Sequence, residues 1–248
     1  MKSLAALLLA AAVLSGTPVE DDFTKGETLD FTLQWLRISG GVGRMTIGPA
    51  DDDASKLRIT SVARSTSGIS RIVKFRDEIE TMLLRDNFST VEYHKRLDER
   101  GVKKNEQTLI ADGVATRTKG SKTKQIKVPT PVLDPMSVIY YLRTVNLAPG
   151  QTHELTLIAD GKIYTVHAIV IRRENIVTPL GSFKTVVVEP RMESGGVQRD
   201  ETMTIWYSDD DRRLPVRIRT EVKFGAITAT LTKVTAGAGS AEPPMPKQ

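Results

Sequence analysis

The sequence predicts an all-β, mainly antiparallel protein: a strongly curved sheet, half-barrel or barrel, wrapped around one buried helix at about residues 135–145. Three observations predict it. From Gly26 onward the chain falls into short β-prone segments of alternating polarity. Tight-turn dipeptides such as Asp112-Gly113 and Asp160-Gly161 separate them. One segment, opening at Asp134-Pro135, is apolar nearly all round and needs a concave sheet to cover it.

The elements follow in order. Lys2 precedes an unbroken run of Leu, Ala and Val from Leu4 to Leu14, and the small residues Ser15 and Gly16 come next. That is the pattern of a secretory signal peptide, expected over 1–16. The run is too short to span a bilayer, which needs about 20 apolar residues. Leu14-Ser15-Gly16 looks like the start of a lipoprotein cleavage box, but Thr17 stands where cysteine would be. The expected product is therefore a periplasmic protein without a lipid anchor.

Leu29, Phe31, Leu33 and Trp35 alternate with polar residues and predict the first strand. Gly40-Gly41 reads as a turn and Val42 to Ile47 as a returning strand. Segments 56–66, 74–84, 87–97 and 102–110 predict a meander, and a very basic hairpin turns at Gly120-Ser121. Pro129 and Pro131 mark an extended connector. Asp134 suits a helix N-cap and Pro135 the first helical position, with Met136 to Val145 following. Strands resume over 153–159, 163–172, 183–188, 201–207, 214–222 and 226–234, and the Gly-, Ala- and Pro-rich stretch 235–248 reads as a disordered tail. One β domain over 26–234 is expected. The alternative is two halves, 26–128 and 150–234, joined by the connector and helix.

Composition narrows the chemistry. The 248 residues include no cysteine, which excludes disulfides, thiol catalysis, thiolate metal sites and lipid attachment at cysteine. The formal charge of +5 leaves a mild bias towards anionic surfaces, with lipid head groups or cell-wall polymers better partners than nucleic acid for an exported chain. His94, His153 and His167 are isolated, with no His-Glu-x-x-His, and no Gly-x-Ser-x-Gly elbow occurs. No cofactor or metal site is expected. Asp51 to Asp53 and Asp209 to Asp211 read as turns, since neither has the spaced ligands of a calcium loop.

Several blocks carry a family pattern. Gly26-Glu27 opens a strand ending in Trp35, and Asp134-Pro135-Met136-Ser137 leads to Tyr140-Tyr141-Leu142-Arg143. Gly181-Ser182-Phe183-Lys184-Thr185 leads to Val188-Glu189-Pro190. Thr204 to Asp210 runs into Arg212-Arg213-Leu214-Pro215-Val216, and Phe224-Gly225 precedes the last strand. Together they resemble the exported bacterial domain-of-unknown-function family 3108. The resemblance implies a largely β protein of the Gram-negative envelope and supplies no catalytic residues. The curved sheet is also similar in architecture to periplasmic lipoprotein carriers.

Three functional expectations follow. The first is a non-enzymatic binding or carrier module for an apolar or amphipathic envelope component, a lipid or acyl chain. Met136, Tyr140, Tyr141 and Trp35 are its candidate ligand-binding residues. Arg117, Lys119, Lys122 and Lys124 on the basic hairpin are candidates for docking on an anionic membrane surface, unless they simply protect a sheet edge. The second is a glycan-acting enzyme of the cell wall, with Asp77 or Glu80 as acid or base. Asp77 is the oddity there, because alternation places it on the apolar face with Phe75 and Ile79. The third is an assembly partner for another envelope protein.

Overall fold

The computed structural model describes residues 22–35, 38–66, 74–99, 101–195, 197–198, 202–222 and 225–236. The expected signal peptide, the start of the 201–207 strand, Phe224 and most of the expected tail lie outside these residues.

Alternation produces the strands as expected, and they join into one sheet. β1 (Glu27–Trp35) pairs on one side with β2 (Ile38–Pro49) and on the other with β15 (Gly225–Ala236). Beyond β2 a meander runs through β3 (Lys56–Ser65), β4 (Phe75–Leu84), β5 (Thr90–Glu99), β6 (Val102–Ala111), β7 (Val114–Lys119) and β8 (Lys122–Lys127). Beyond β15 come β14 (Pro215–Val222), β13 (Met203–Ser208), β11 (Gly181–Ser194), β10 (Lys162–Thr178) and β9 (Thr152–Ala159). The short β12 (Val197–Gln198) pairs with β11. Every pairing between these strands is antiparallel, and an isolated parallel bridge joins Leu133 to Leu157. Both Asp-Gly hairpins adopt left-handed geometry at the two central residues, φ 50° and 71° in each, as a two-residue hairpin turn requires.

The sheet rolls up without closing. Its outermost strands, β8 and β9, do not pair with each other among the described residues. Yet the two ends meet. Lys95 on β5 reaches Asp160 in the β9–β10 turn at 2.7 Å. Ala115 and Ile126 from β7 and β8 pack in one cluster with Ile158 and Ile163 from β9 and β10. The connector spans the remaining gap. Thr90 N donates to Val132 O at 2.8 Å, Leu133 N to Thr156 O at 2.9 Å, and Ile158 N to Leu133 O at 2.8 Å. Two connector residues thus satisfy backbone groups of Thr90 on β5 and of Thr156 and Ile158 on β9.

The helix α1 (Pro135–Tyr141) plugs one end of the roll. Asp134 caps it, accepting from Met136 N at 2.7 Å and Ser137 N at 3.2 Å, while Ser137 Oγ accepts from Asp134 N at 2.7 Å. Two strand hydroxyls also reach this buried carboxylate: Thr90 Oγ1 at 2.7 Å and Thr81 Oγ1 at 3.2 Å. The helix is shorter than the expected 135–145. Arg143 N bonds Tyr140 O and Thr144 N bonds Tyr141 O, so the chain tightens into a turn after Tyr141. That turn delivers Arg143 to Glu27 on β1 (2.5 and 3.0 Å) and to the Arg212 carbonyl (3.0 Å). Val138, Ile139, Tyr140 and Leu142 pack with Leu29, Leu57, Leu83, Val166 and Ile205 in the main core.

Other boundaries also differ. Gly40 and Gly41 lie inside β2, not in a turn, and Gly43 follows them in the same strand. A Cβ on Gly41 would sit 2.9 Å from the Arg64 carbonyl oxygen and 3.2 Å from Phe75 Cζ, so close packing explains this glycine. β10 and β11 are longer than expected and meet at a turn over 179–180. β15 takes in Thr235 and Ala236, which the sequence assigns to the tail.

Candidate functional site

Cross-strand register defines which side chains share the inner face with the helix. Near the helix this face is fully buried, through Leu29, Ile47, Leu57 and Leu83. Farther along the same strands it changes character. Ile218 lies opposite Ala229, Ala229 opposite Leu33, and Leu33 opposite Gly41. One pair further in, Gly43 lies opposite Ala63, Ala63 opposite Asp77, and Asp77 opposite Leu97. Leu33, Ala63, Leu97, Met203, Ile218 and Ala229 are all half-buried. Four of them, Leu33, Met203, Ile218 and Ala229, pack directly on the main core. The helix-distal inner face is therefore a mainly apolar band of long side chains interrupted by small ones, with Ser65, Asp77 and Thr220 among them.

Asp77 sits in this band. Its Oδ1 is buried and has no hydrogen-bond partner among the described residues. Burial pushes its carboxyl up to about 6, and the negative charges of Glu99 and Asp98 add to the rise, while Lys104 and Lys95 oppose it. Neither lysine is committed to Asp77. Lys95 Nζ lies 2.7 Å from Asp160, and Lys104 Nζ 3.2 Å from Glu99.

The four candidate ligand-binding residues are not brought together. Tyr140 is fully buried, 5.8 Å ring to ring from Phe23, and belongs to the packed core. Its hydroxyl has no partner among the described residues, and burial raises its pKa. Met136 and Tyr141 are half-buried at the helix end of the roll, with Tyr141 edge-on to Phe88 at 6.2 Å. Trp35 ends β1 eight residues beyond Glu27, the partner of Arg143, which is about 26 Å along the strand. Of the four, Trp35 alone belongs to the helix-distal inner face.

Asp77 and Glu80 point to opposite faces of β4, three residues apart. Glu80 looks outward, opposite Thr60 and His94, with Arg58 Nε at 3.5 Å. A cleft of about 420 Å³ lies on that outer face, lined by Arg58, Thr60, Glu78, Glu80, His94 and Arg96 among others. Its carboxylates are paired with arginines. A hydrogen bond from Arg76 holds Glu78 below the usual carboxylate range, the opposite of what a general acid needs.

The basic hairpin divides. Arg117, Lys119, Lys122 and Lys124 do share one face, through the Arg117–Lys124 and Lys119–Lys122 pairs. Arg117 is drawn inward by buried Glu106, which takes Nε and one terminal nitrogen at 2.5 Å each. Lys119, Lys122 and Lys124 are exposed at the sheet edge. Sequence reasoning missed the Glu106 and Glu99 partners, because ion pairs between neighbouring strands depend on register.

The fold and this face define a class: a rolled antiparallel β protein with an internal helix at one end and an apolar inner face at the other. The chain belongs to the family of proteins of unknown function DUF3108, whose sequence profile matches residues 28–232. No curated protein matches it in sequence. Among solved structures, it is similar to a β-barrel-like protein of the domain of unknown function DUF1849 from Brucella abortus. The identity is 12%, with 86% of this chain and 98% of that one covered and a TM-score of 0.59. A weaker likeness, TM-score 0.32 at 12% identity, is to a protein from Bacteroides fragilis described as exported and YmcC-like, covering 85% and 96% of the two chains. Another, TM-score 0.24 at 8% identity, is to the lipoprotein LppX of Mycobacterium tuberculosis, covering 88% and 90%. At these identities the first likeness concerns the fold alone.

Proposed function

We propose that the protein is a non-enzymatic binding or carrier module of the periplasm, for an amphipathic or apolar envelope component such as a lipid or acyl chain. The observation that carries this reading is the half-buried apolar band of Leu33, Ala63, Leu97, Met203, Ile218 and Ala229 on the inner face. A curved sheet shields such a band from water on one side, and an acyl chain laid along it removes the rest from solvent. The amino-terminal sequence supports export. Exposed Lys119, Lys122 and Lys124 support contact with an anionic membrane, each contributing up to about 1 kcal/mol near the surface.

Native mass spectrometry of protein purified from the periplasm of its own host tests the reading. A bound mass in the lipid range is expected, lost in Ala63→Phe, which fills the band. A clean unliganded mass that persists after incubation with envelope lipids would overturn it.

A further inference from the structure

We infer that Asp77 anchors a cationic amine on the ligand's head group, so that the protein selects amphipathic molecules carrying a primary amine. The inference rests on the carrier reading and specifies its ligand. A buried carboxylate oxygen without a partner is costly, and native proteins rarely keep one without a use. Here it stands opposite Ala63 and Leu97, with Phe75 and Ile79 beside it on the same face of β4, and none of the described residues donates to its Oδ1.

Its charge environment is mixed, but no cation is committed to it among the described residues. Glu99 and Asp98 add negative potential, and Lys104 and Lys95, which oppose it, are paired with Glu99 and Asp160. The missing partner is thus a donor that also brings positive charge, which describes an ammonium group and excludes a phosphate or carboxylate at this point. The apolar band beside it accepts the chain of the same molecule. One carboxylate flanked by an apolar track matches an amine at the head of an alkyl or acyl chain, whereas a soluble amine would leave the track unfilled.

The test uses the exported protein at pH 7.5 and two probes with the same palmitoyl chain, lysophosphatidylethanolamine and lysophosphatidylglycerol. They share the phosphate charge and differ in the amine. Binding is followed by native mass spectrometry and by tryptophan fluorescence. The wild type is expected to favour the ethanolamine probe by about tenfold or more, the scale of one charge-assisted hydrogen bond. Asp77→Asn should remove the preference while keeping affinity for the glycerol probe. Asp77→Ser, also neutral, serves if the asparagine variant does not fold. Equal affinity for the two probes in the wild type, or a preference that survives both substitutions, overturns the anchor and leaves the carrier standing. Failure to bind either probe or hexadecylamine overturns the carrier reading and the anchor with it.

Discussion

Replacing Asp77 by asparagine should change stability in a pH-dependent way that the fold itself sets. The folded protein holds the Asp77 proton up to about pH 6, against an ordinary value of 3.8. A carboxyl whose folded value is raised stabilises the protein fully below the ordinary value, and that stability is lost as pH rises through about 6. The interval between 3.8 and about 6 corresponds to about 3 kcal/mol for a group sealed from solvent. Asp77 is half-buried, and solvent screening brings this to about 1–2 kcal/mol. Asparagine does not titrate. The stability of Asp77→Asn relative to wild type should therefore improve by about 1–2 kcal/mol between pH 4 and pH 8. Urea unfolding followed by tryptophan fluorescence at both values measures it, and the titrating groups that do not interact with Asp77 cancel in the comparison. A difference that is the same at both pH values would show that Asp77 is solvated or partnered, and the reasoning about the inner face would fail.

Further outcomes follow from the buried ion pairs, the helix cap and the basic hairpin. Arg143→Met leaves Glu27 charged in a site where the two side chains are 1% and 4% exposed, so a loss of about 3–5 kcal/mol is expected in the same unfolding assay. Glu27→Leu combined with Arg143→Met should recover most of it. Asp134→Ala removes the acceptor of two helix N–H groups and two strand hydroxyls at once, with Thr90 keeping only Ser137 Oγ at 3.3 Å, and a loss of at least about 2 kcal/mol is expected, read as a lowered urea midpoint. Lys119→Glu/Lys122→Glu/Lys124→Glu should abolish sedimentation with phosphatidylglycerol vesicles without shifting the thermal midpoint. Arg117→Ala should instead lower that midpoint, because it strands Glu106. Unchanged vesicle binding in the triple variant would remove the hairpin from the docking surface.

Much of this was legible along the chain. Period-two alternation placed Leu29, Phe31 and Leu33 on one face of β1, and Asp77 beside Phe75 and Ile79 on one face of β4. The Asp-Gly dipeptides fixed two hairpins, and Asp134-Pro135 fixed the start of α1. Gly40-Gly41 misled because a glycine pair signals a turn equally well when its real cause is close approach of a neighbouring strand. The place of the candidate ligand residues in the fold was likewise not legible along the chain. Met136, Tyr140 and Tyr141 are apolar on a buried helix, and nothing local distinguishes a cavity wall from a filled core.

Local sequence by itself determined the strands, their faces, the helix start and the odd carboxyl on an apolar face, since each depends on neighbours within a few residues. Tertiary structure alone decided the rest. The pairing of β1 with β15, the connector seam at Val132-Leu133 and the reach of Arg143 to Glu27 join residues far apart in the chain. So does the commitment of Lys95 to Asp160, with Asp77 Oδ1 left without a hydrogen-bond partner among the described residues. Whether a charged group is neutralised depends on which strand rolls against it. That is set by the curvature of the whole sheet and is written in no single segment.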